Sequence, residues 1–224
     1  MNKSKIIYKI NKSVKISVTN HYKSLGKVIV IALSGGADSL TMLYSLYSIK
    51  KQFDLKLHIA HFNHNQRDQE SLEDIKFVNK IANNLNIPIT IGELDKSDIN
   101  KLTINESILR EFRYEFLNSV AKKIGAKSIA LGHNFNDNIE TVLMNIIRGT
   151  GLEGLSGMQP ISNQKKKHNS IKIFRPLLSF SHEENINYCL KNDIKYREDS
   201  SNYSNYFTRN RIRLDLIPFL EKNF

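Results

Sequence analysis

The residues with the clearest chemical content lie together at Ser34-Gly35-Gly36-Ala37-Asp38-Ser39. Adjacent glycines let a backbone turn tightly and point its N–H groups inward. The Ser34 and Ser39 hydroxyls add donors, and a helix starting there adds partial positive charge. Together they make an anion cradle suited to phosphate. It lacks the lysine and the longer spacing of a Walker A loop, so hydrolysis of a γ-phosphate is not its evident task. A carboxylate repels phosphate, so Asp38 in such a cradle implies a cation between the two, Mg²⁺ being the ordinary choice. The plain alternative is a strand-to-helix turn in which Asp38 only caps the helix.

Other groups could serve the same chemistry. His61-Phe62-Asn63-His64, with Arg67 following, offers two imidazoles as metal ligands or nucleotide contacts. With no third ligand nearby the metal reading is the weaker, and one buried, hydrogen-bonded histidine is the plain one. Glu106, Arg110, Arg113 and Tyr114 share one helix face, which by itself suits a solvated charged stripe. In Gly132-His133-Asn134-Phe135-Asn136-Asp137-Asn138-Ile139-Glu140-Thr141, Asp137 and Glu140 fall on one stripe near a helix start. They either answer the helix dipole or hold a cation such as an incoming ammonium. Asp199 and Asn202 precede Arg209, Asn210, Arg211 and Arg213, a basic helix or a phosphate grip. The single cysteine, Cys189, excludes a disulfide or a CxxC site within the chain and reads as a packing residue.

The elements needed to position these groups follow from periodicity. Short, β-branched runs at 27–33, 55–62, 87–91 and 128–131 predict buried strands. Between them lie helical patterns: an N-terminal helix, one following the glycine pair to about 51, then 71–85 with Ser71 as its cap, 105–124 and 137–148. Alternating strands and helices predict an α/β fold with a doubly wound parallel sheet. Ligands bind beyond the C-terminal ends of such strands, where SGGADS, HFNHNQR and GHNFND all fall. Beyond Arg148 come a glycine-rich loop (RGTGLEGLSGM), an exposed loop at 162–170 and a short strand at 171–174. A helix opened by the Ser181/Glu184 capping box then runs to about 192, and a final helix spans 208–220. The expected organisation is an N-terminal helix (1–26) packed on a main domain (27–224) that ends in a helical extension.

The chain has 224 residues, 40% of them hydrophobic, and a formal net charge of +11. No apolar run reaches the length of a membrane span, and the basic N-terminus has no continuous apolar core of a secretory signal. The charge attracts polyanions, although a composition rich in Lys, Asn and Ile also follows from AT-rich codons.

In order along 34–213, the segments SGGADS, HFNHNQR, Glu106 to Tyr114, GHNFNDNIET, RGTGLEGLSGM, FRPLL and EDSSN…TRNRIR resemble the tRNA(Ile)-lysidine synthetase family. That family belongs to the PP-loop (N-type) ATP-pyrophosphatases, with an adenine nucleotide alpha hydrolase-like fold. The resemblance implies two steps. ATP adenylates the C2 oxygen of the wobble cytidine in a CAU-anticodon tRNA(Ile), releasing pyrophosphate; the ε-amine of free L-lysine then displaces AMP. It implies ATP and Mg²⁺ as cofactors, no membrane, and a setting in a bacterial cytoplasm or a plastid stroma; a homodimer is compatible with it. It assigns Ser34 to Ser39, His61 and Arg110 to the nucleotide, and Asp38 to the metal. Arg113 neutralises phosphate charge, and Asp137 and Glu140 receive the lysine ammonium, one of them as base. His133 shapes that pocket, and Arg209, Arg211 and Arg213 contact nucleotide or tRNA phosphate. Many members have an acidic pair at Asn136-Asp137, so here Asp137 alone remains as a metal candidate from that pair. Larger members carry C-terminal domains that grip tRNA, so the chain is either a minimal catalytic form or a piece of a longer protein. Among rivals, tRNA thiolation is disfavoured by the lone cysteine, and GMP, NAD and asparagine synthetases share the loop without the later motifs. A noncatalytic nucleotide- or RNA-binding module is the rival from another class.

Overall fold

The first strand sits near the middle of a twisted sheet, and the chain leaves it in one direction and returns on the other side. The computed structural model describes residues 3–63, 68–94, 106–163, 171–197 and 208–224. Strands β1 (Val28–Ala32), β2 (Lys56–Asn63), β3 (Ile89–Glu93), β4 (Ser128–Ala130), β5 (Ile161–Asn163) and β6 (Lys172–Phe174) stand in the order β3-β2-β1-β4-β6-β5. All neighbours run parallel except β5, which lies antiparallel to β6 at the edge. The path steps outward from β1 through β2 to β3, then crosses back to β4 on the opposite flank of β1. That reversal opens a crevice at the C-terminal ends of β1 and β4, where sheets of this kind hold ligands.

Helices cover both faces. They are α1 (Lys3–Leu25), α2 (Ala37–Ile49), α3 (Asp68–Leu85), α4 (Glu106–Lys123), α5 (Phe135–Ile147), the short α6 (Leu152–Leu155), α7 (His182–Lys191), α8 (Thr208–Arg211) and α9 (Ile217–Asn223). A π turn, Ile212–Leu216, joins the last two. Successive strand residues point to opposite faces, so Ile29 and Ile31 enter one core and Val30 the other. The first core takes α1, α2, α3 and α7; the second is closed by Leu117, Val120 and Ala121 of α4. In α1, Ile6, Ile10, Val14 and Val18 repeat every four residues and are all buried. Each such side chain contributes about 1.5–3 kcal/mol, so α1 belongs to the same core as α2.

Several boundaries depart from the sequence reading. Ser71 is a buried residue inside α3, not its cap, because the helix already starts at Asp68. The third strand begins at Ile89 rather than 87. Asn86 adopts a left-handed conformation (φ 49) that ends α3, and Ile87 returns its N–H to Ala82 O. Helix α5 begins at Phe135, two residues earlier than expected. Ser162 and Asn163 belong to β5 instead of a loop, so the sheet is mixed and not wholly parallel. A three-residue polar edge strand carries no periodic signal that could announce it.

Candidate active site

The N-termini of α2, α5 and α7 meet at the crevice. Gly35 takes the left-handed conformation (φ 96), which turns the chain out of β1, and Gly36 starts α2 with no side-chain cap. The first-turn amides of α2 therefore remain available to an anion, reinforced by the helix dipole. Helices α5 and α7, by contrast, each carry a complete capping box, from Asn134/Asp137 and Ser181/Glu184. The loop is held in shape by the Gly35 N–H donating to Ser39 Oγ (3.2 Å), and by Ser39 Oγ donating to Gly36 O (2.9 Å). Ser34 is exposed at its mouth and its hydroxyl reaches Ser39 Oγ at 3.1 Å. The Arg197 N–H donates to Gly35 O (3.0 Å), tying the segment after α7 over the loop. Gly132, after β4, packs so closely that a Cβ there would lie 3.0 Å from the Ser39 backbone.

Asp38 faces α7. Its carboxylate accepts hydrogen bonds from His182 Nδ1 (2.9 Å) and Asn185 Nδ2 (2.7 Å). The Asp38 hydrogen bond holds the His182 imidazole above its usual range against the opposing effect of burial. Asn185 Oδ1 is buried without a partner, so this amide is oriented for Asp38 at some cost. Asn136 Oδ1 accepts the His182 N–H (3.0 Å) and thus joins α5 to α7. Among the described residues no three His, Cys, Asp or Glu side chains gather as a metal cage. Mg²⁺ in nucleotide enzymes takes one or two carboxylates and completes its shell with phosphates and water, so Asp38 beside the cradle fits such an ion.

Asp137 and Glu140 form a second cluster, 16% and 0% exposed. Arg209 donates from Nε to Glu140 (2.6 Å) and from a terminal nitrogen to Asp137 (2.8 Å). Arg213 donates from Nε to the other Glu140 oxygen (2.6 Å). The second Asp137 oxygen accepts the Asn134 N–H in the capping box (2.9 Å). Burial raises the Asp137 carboxyl above its usual range, while Arg209 and the Asn134 N–H pull the other way. Sequence reasoning put Arg209, Arg211 and Arg213 on phosphate; the structure sets Arg209 and Arg213 on these carboxylates and leaves Arg211 exposed.

His133 lies between this cluster and α4. Its Nδ1 accepts from Arg175 Nε (3.1 Å). Burial, then Arg175, Arg209, Arg110 and Arg113, hold its imidazole well below the usual range. Arg113 is half-buried, and Arg110 is exposed with its guanidinium 5.3 Å from the Tyr114 ring centre. His61 is the buried, hydrogen-bonded histidine of the plain reading: it is 5% exposed and its Nδ1–H donates to Leu33 O (2.8 Å), at the entry to the loop. Burial lowers its basicity. His64, Arg67, the side chain of Glu106, Asp199 and Asn202 lie outside the described residues. Sequence reasoning missed Arg175, His182, Asn185 and Arg197. Arg175 had a legible signal, since it directly follows a strand; the other three act through contacts more than a hundred residues away in sequence.

Comparison with known proteins agrees with this geometry. Residues 4–220 match the family described as a PP-loop domain. A tRNA(Ile)-lysidine synthase of Clostridioides difficile is 38% identical over 204 residues, covering 89% of this chain and 42% of that protein. One from Dehalococcoides mccartyi is 35% identical over 202 residues, covering 88% and 43%. The chain thus spans less than half the length of these curated relatives. Among solved structures, the U34-tRNA thiolase NcsA of Methanococcus maripaludis, with its [4Fe-4S] cluster, superposes with a TM-score of 0.78 at 25% identity, covering 97% of this chain and 74% of that one. An NH3-dependent NAD synthetase of Campylobacter jejuni shares the fold at a TM-score of 0.53 and 16% identity, covering 100% and 86%. With the uncapped helix start behind SGGADS at the crevice between β1 and β4, and a family match over nearly its whole length, the chain belongs to the PP-loop domain family.

Proposed function

We propose that the chain carries the catalytic domain of a tRNA(Ile)-lysidine synthetase, which ligates free lysine to C2 of the wobble cytidine of CAU-anticodon tRNA(Ile) through an adenylated intermediate. The observation that carries this reading is the convergence of the uncapped α2 N-terminus with the Asp137/Glu140 cluster at one crevice. The first suits a pyrophosphate, the second a cation. The similarity to lysidine synthases supports the choice of substrate.

In the first step the cytidine O2 attacks the α-phosphorus of ATP and pyrophosphate departs. The first-turn amides of α2 and the exposed Ser34 hydroxyl receive its charge, while Gly35 and Ser39 hold the loop in shape, and Arg113 with Arg110 neutralises charge at the transferring phosphoryl. Mg²⁺, when bound with ATP at Asp38, supplies further charge stabilisation on the phosphates. In the second step lysine gives up an ε-ammonium proton, its nitrogen bonds to C2, and the C2–O bond breaks to release AMP. Asp137, its basicity raised by burial, is suited to take that proton. Arg209 and Arg213 now hold the carboxylates, so lysine enters by exchange: the guanidiniums shift to phosphate and the ammonium replaces them. Bacterial relatives favour a bacterial cytoplasm as the setting.

Thiolation is the second reading, raised by the resemblance to NcsA. The only cysteine of these 224 residues, Cys189, is buried with its thiol pushed up to about 11, and a [4Fe-4S] cluster needs several thiolates. The test is lysine incorporation. Purified protein, ATP, Mg²⁺ and labelled lysine are mixed with an unmodified CAU-anticodon tRNA(Ile) transcript, with elongator methionine tRNA as control. Label on the isoleucine tRNA alone is expected. tRNA-dependent pyrophosphate without label would keep the adenylation and reject lysine as nucleophile; no ATP cleavage would reject both steps for this chain.

A further inference from the structure

Arg175, the arginine of the FRPLL segment, has no role in the scheme above, yet among the described residues it is one of the most enclosed charges at 9% exposure. It follows β6 directly, and its own N–H is tied to Pro160 O (2.8 Å). One terminal nitrogen donates to Gln159 O (3.0 Å) and Ser162 Oγ (2.8 Å), both on the β5 side. The Tyr114 phenol of α4 also engages it. The remaining Nε is directed at His133 Nδ1, 3.1 Å away. We infer that Arg175 is a positioning residue that locks His133 in the Nε2–H tautomer, so that His133 acts in the adenylation step as a hydrogen-bond donor and not as a base.

Valence fixes the tautomer. A guanidinium carries only donors and keeps its proton at any working pH. The His133 nitrogen it faces must therefore offer a lone pair, and the single ring proton sits on Nε2, the ring nitrogen not bonded to Arg175. Protonating Nδ1 as well would set two donors against each other. Among the described residues, the charged groups that weigh most on the ring act in the same direction: Arg175 at the end of β6, Arg110 and Arg113 on α4, and Arg209 on α8. A neutral imidazole donor suits an oxygen that gains negative charge as a bond to phosphorus forms or breaks, because it stabilises that charge without giving up a proton. The acceptor is thus a phosphoryl or carbonyl oxygen. That part rests on the adenylation reading; the tautomer does not.

The tautomer can be read without substrate. Long-range ¹H–¹⁵N correlation on histidine-labelled protein, with His133→Gln for assignment, should show His133 as the neutral Nε2–H form between about pH 6 and 8. In Arg175→Met the tautomers should mix and the titration midpoint rise by about one unit or more. Arg175→Lys keeps the charge without the fork, so it should loosen the tautomer and hold the midpoint low. Single-turnover adenylation in Arg175→Met should fall about 10–100-fold with the KM for ATP little changed, and its pH profile should gain an acid limb. An Nδ1–H tautomer in the unaltered protein, or a midpoint near the ordinary value of about 6.5, would overturn the inference even if the variants do not fold. An unchanged spectrum in Arg175→Met would do the same. Failure of lysine incorporation alongside the expected spectra would reject the proposed function and leave the positioning role intact.

Discussion

Glu140 is wholly enclosed and both of its oxygens are met by guanidinium groups. Removing one side of such an arrangement leaves buried charge without compensation, which costs about 3–5 kcal/mol where no water can enter. Glu140→Gln should therefore destabilise by about 3 kcal/mol, discounted because Arg213 retains 36% exposure. Chemical denaturation checks this; a loss below about 1 kcal/mol would mean that Arg209 and Arg213 find other partners readily. Arg211, two residues from each of them but turned outward, should behave oppositely. Arg211→Ala should leave stability within about 0.5 kcal/mol. Asp38 is a different case, because its contacts to His182 and Asn185 are modest while the proposed function gives it the metal. Asp38→Asn keeps the shape of the site and should reduce tRNA-dependent pyrophosphate release by about a hundredfold or more. Near-normal turnover in that variant would remove Asp38 from the metal.

Among the elements, the helix starts divide by function. Helices α5 and α7 answer their own first-turn amides with capping boxes, and α2 does not. The two capped helices are thereby fixed scaffolds, and α2 is left with the unspent donors. The loop between β4 and α5 approaches the first turn of α2 this closely because Gly132 has no side chain. A methyl group there meets backbone at 3.0 Å, which cannot rotate aside. Gly132→Ala should cost about 1–3 kcal/mol in denaturation and weaken ATP binding at the same time, because the strain falls on the cradle. A stability loss with ATP affinity unchanged would show that the two loops move independently. The π turn between α8 and α9 follows Arg211 and includes Arg213, in keeping with the tendency of such turns to sit at functional segments.

At the scale of the molecule, the proposed function together with the net charge of +11 predicts tRNA binding that is strongly salt-dependent. Affinity should fall about a hundredfold or more between roughly 50 and 200 mM salt, measured by filter binding. A flat response would disconnect the charge from the substrate. Folding should respond to pH through two buried imidazoles. His61 and His133 both have folded values below the ordinary one. Between those values the unfolded chain binds more protons, so stability rises with pH and declines as pH falls below about 6.5. His182, held above its ordinary value, runs the opposite way, but its side chain is 54% exposed and its effect is small. Urea midpoints should therefore drop on acidification, and His133→Gln should flatten the drop; a midpoint that rises toward acid would reverse the assignment.

The sequence alone determined the layered α/β architecture, because alternation of β-branched runs with helical stripes is a local property of neighbouring residues. It also determined the glycine turn into an uncapped helix start, since the glycine pair, the hydroxyls and the following helix are contiguous at 34–39. The Ser181/Glu184 box was legible for the same reason. The capping box of α5 is less legible, because Asp137 shares its carboxylate between the helix start and a distant arginine, one oxygen for the Asn134 N–H and one for Arg209. What only the tertiary structure decided concerns partners distant along the chain: Asp38 with His182 and Asn185, His133 with Arg175, and the carboxylates of α5 with the arginines of α8 and the π turn. A charged side chain announces its chemistry by its type, but its partner is chosen by strand order and helix packing, which bring together residues that no spacing rule connects.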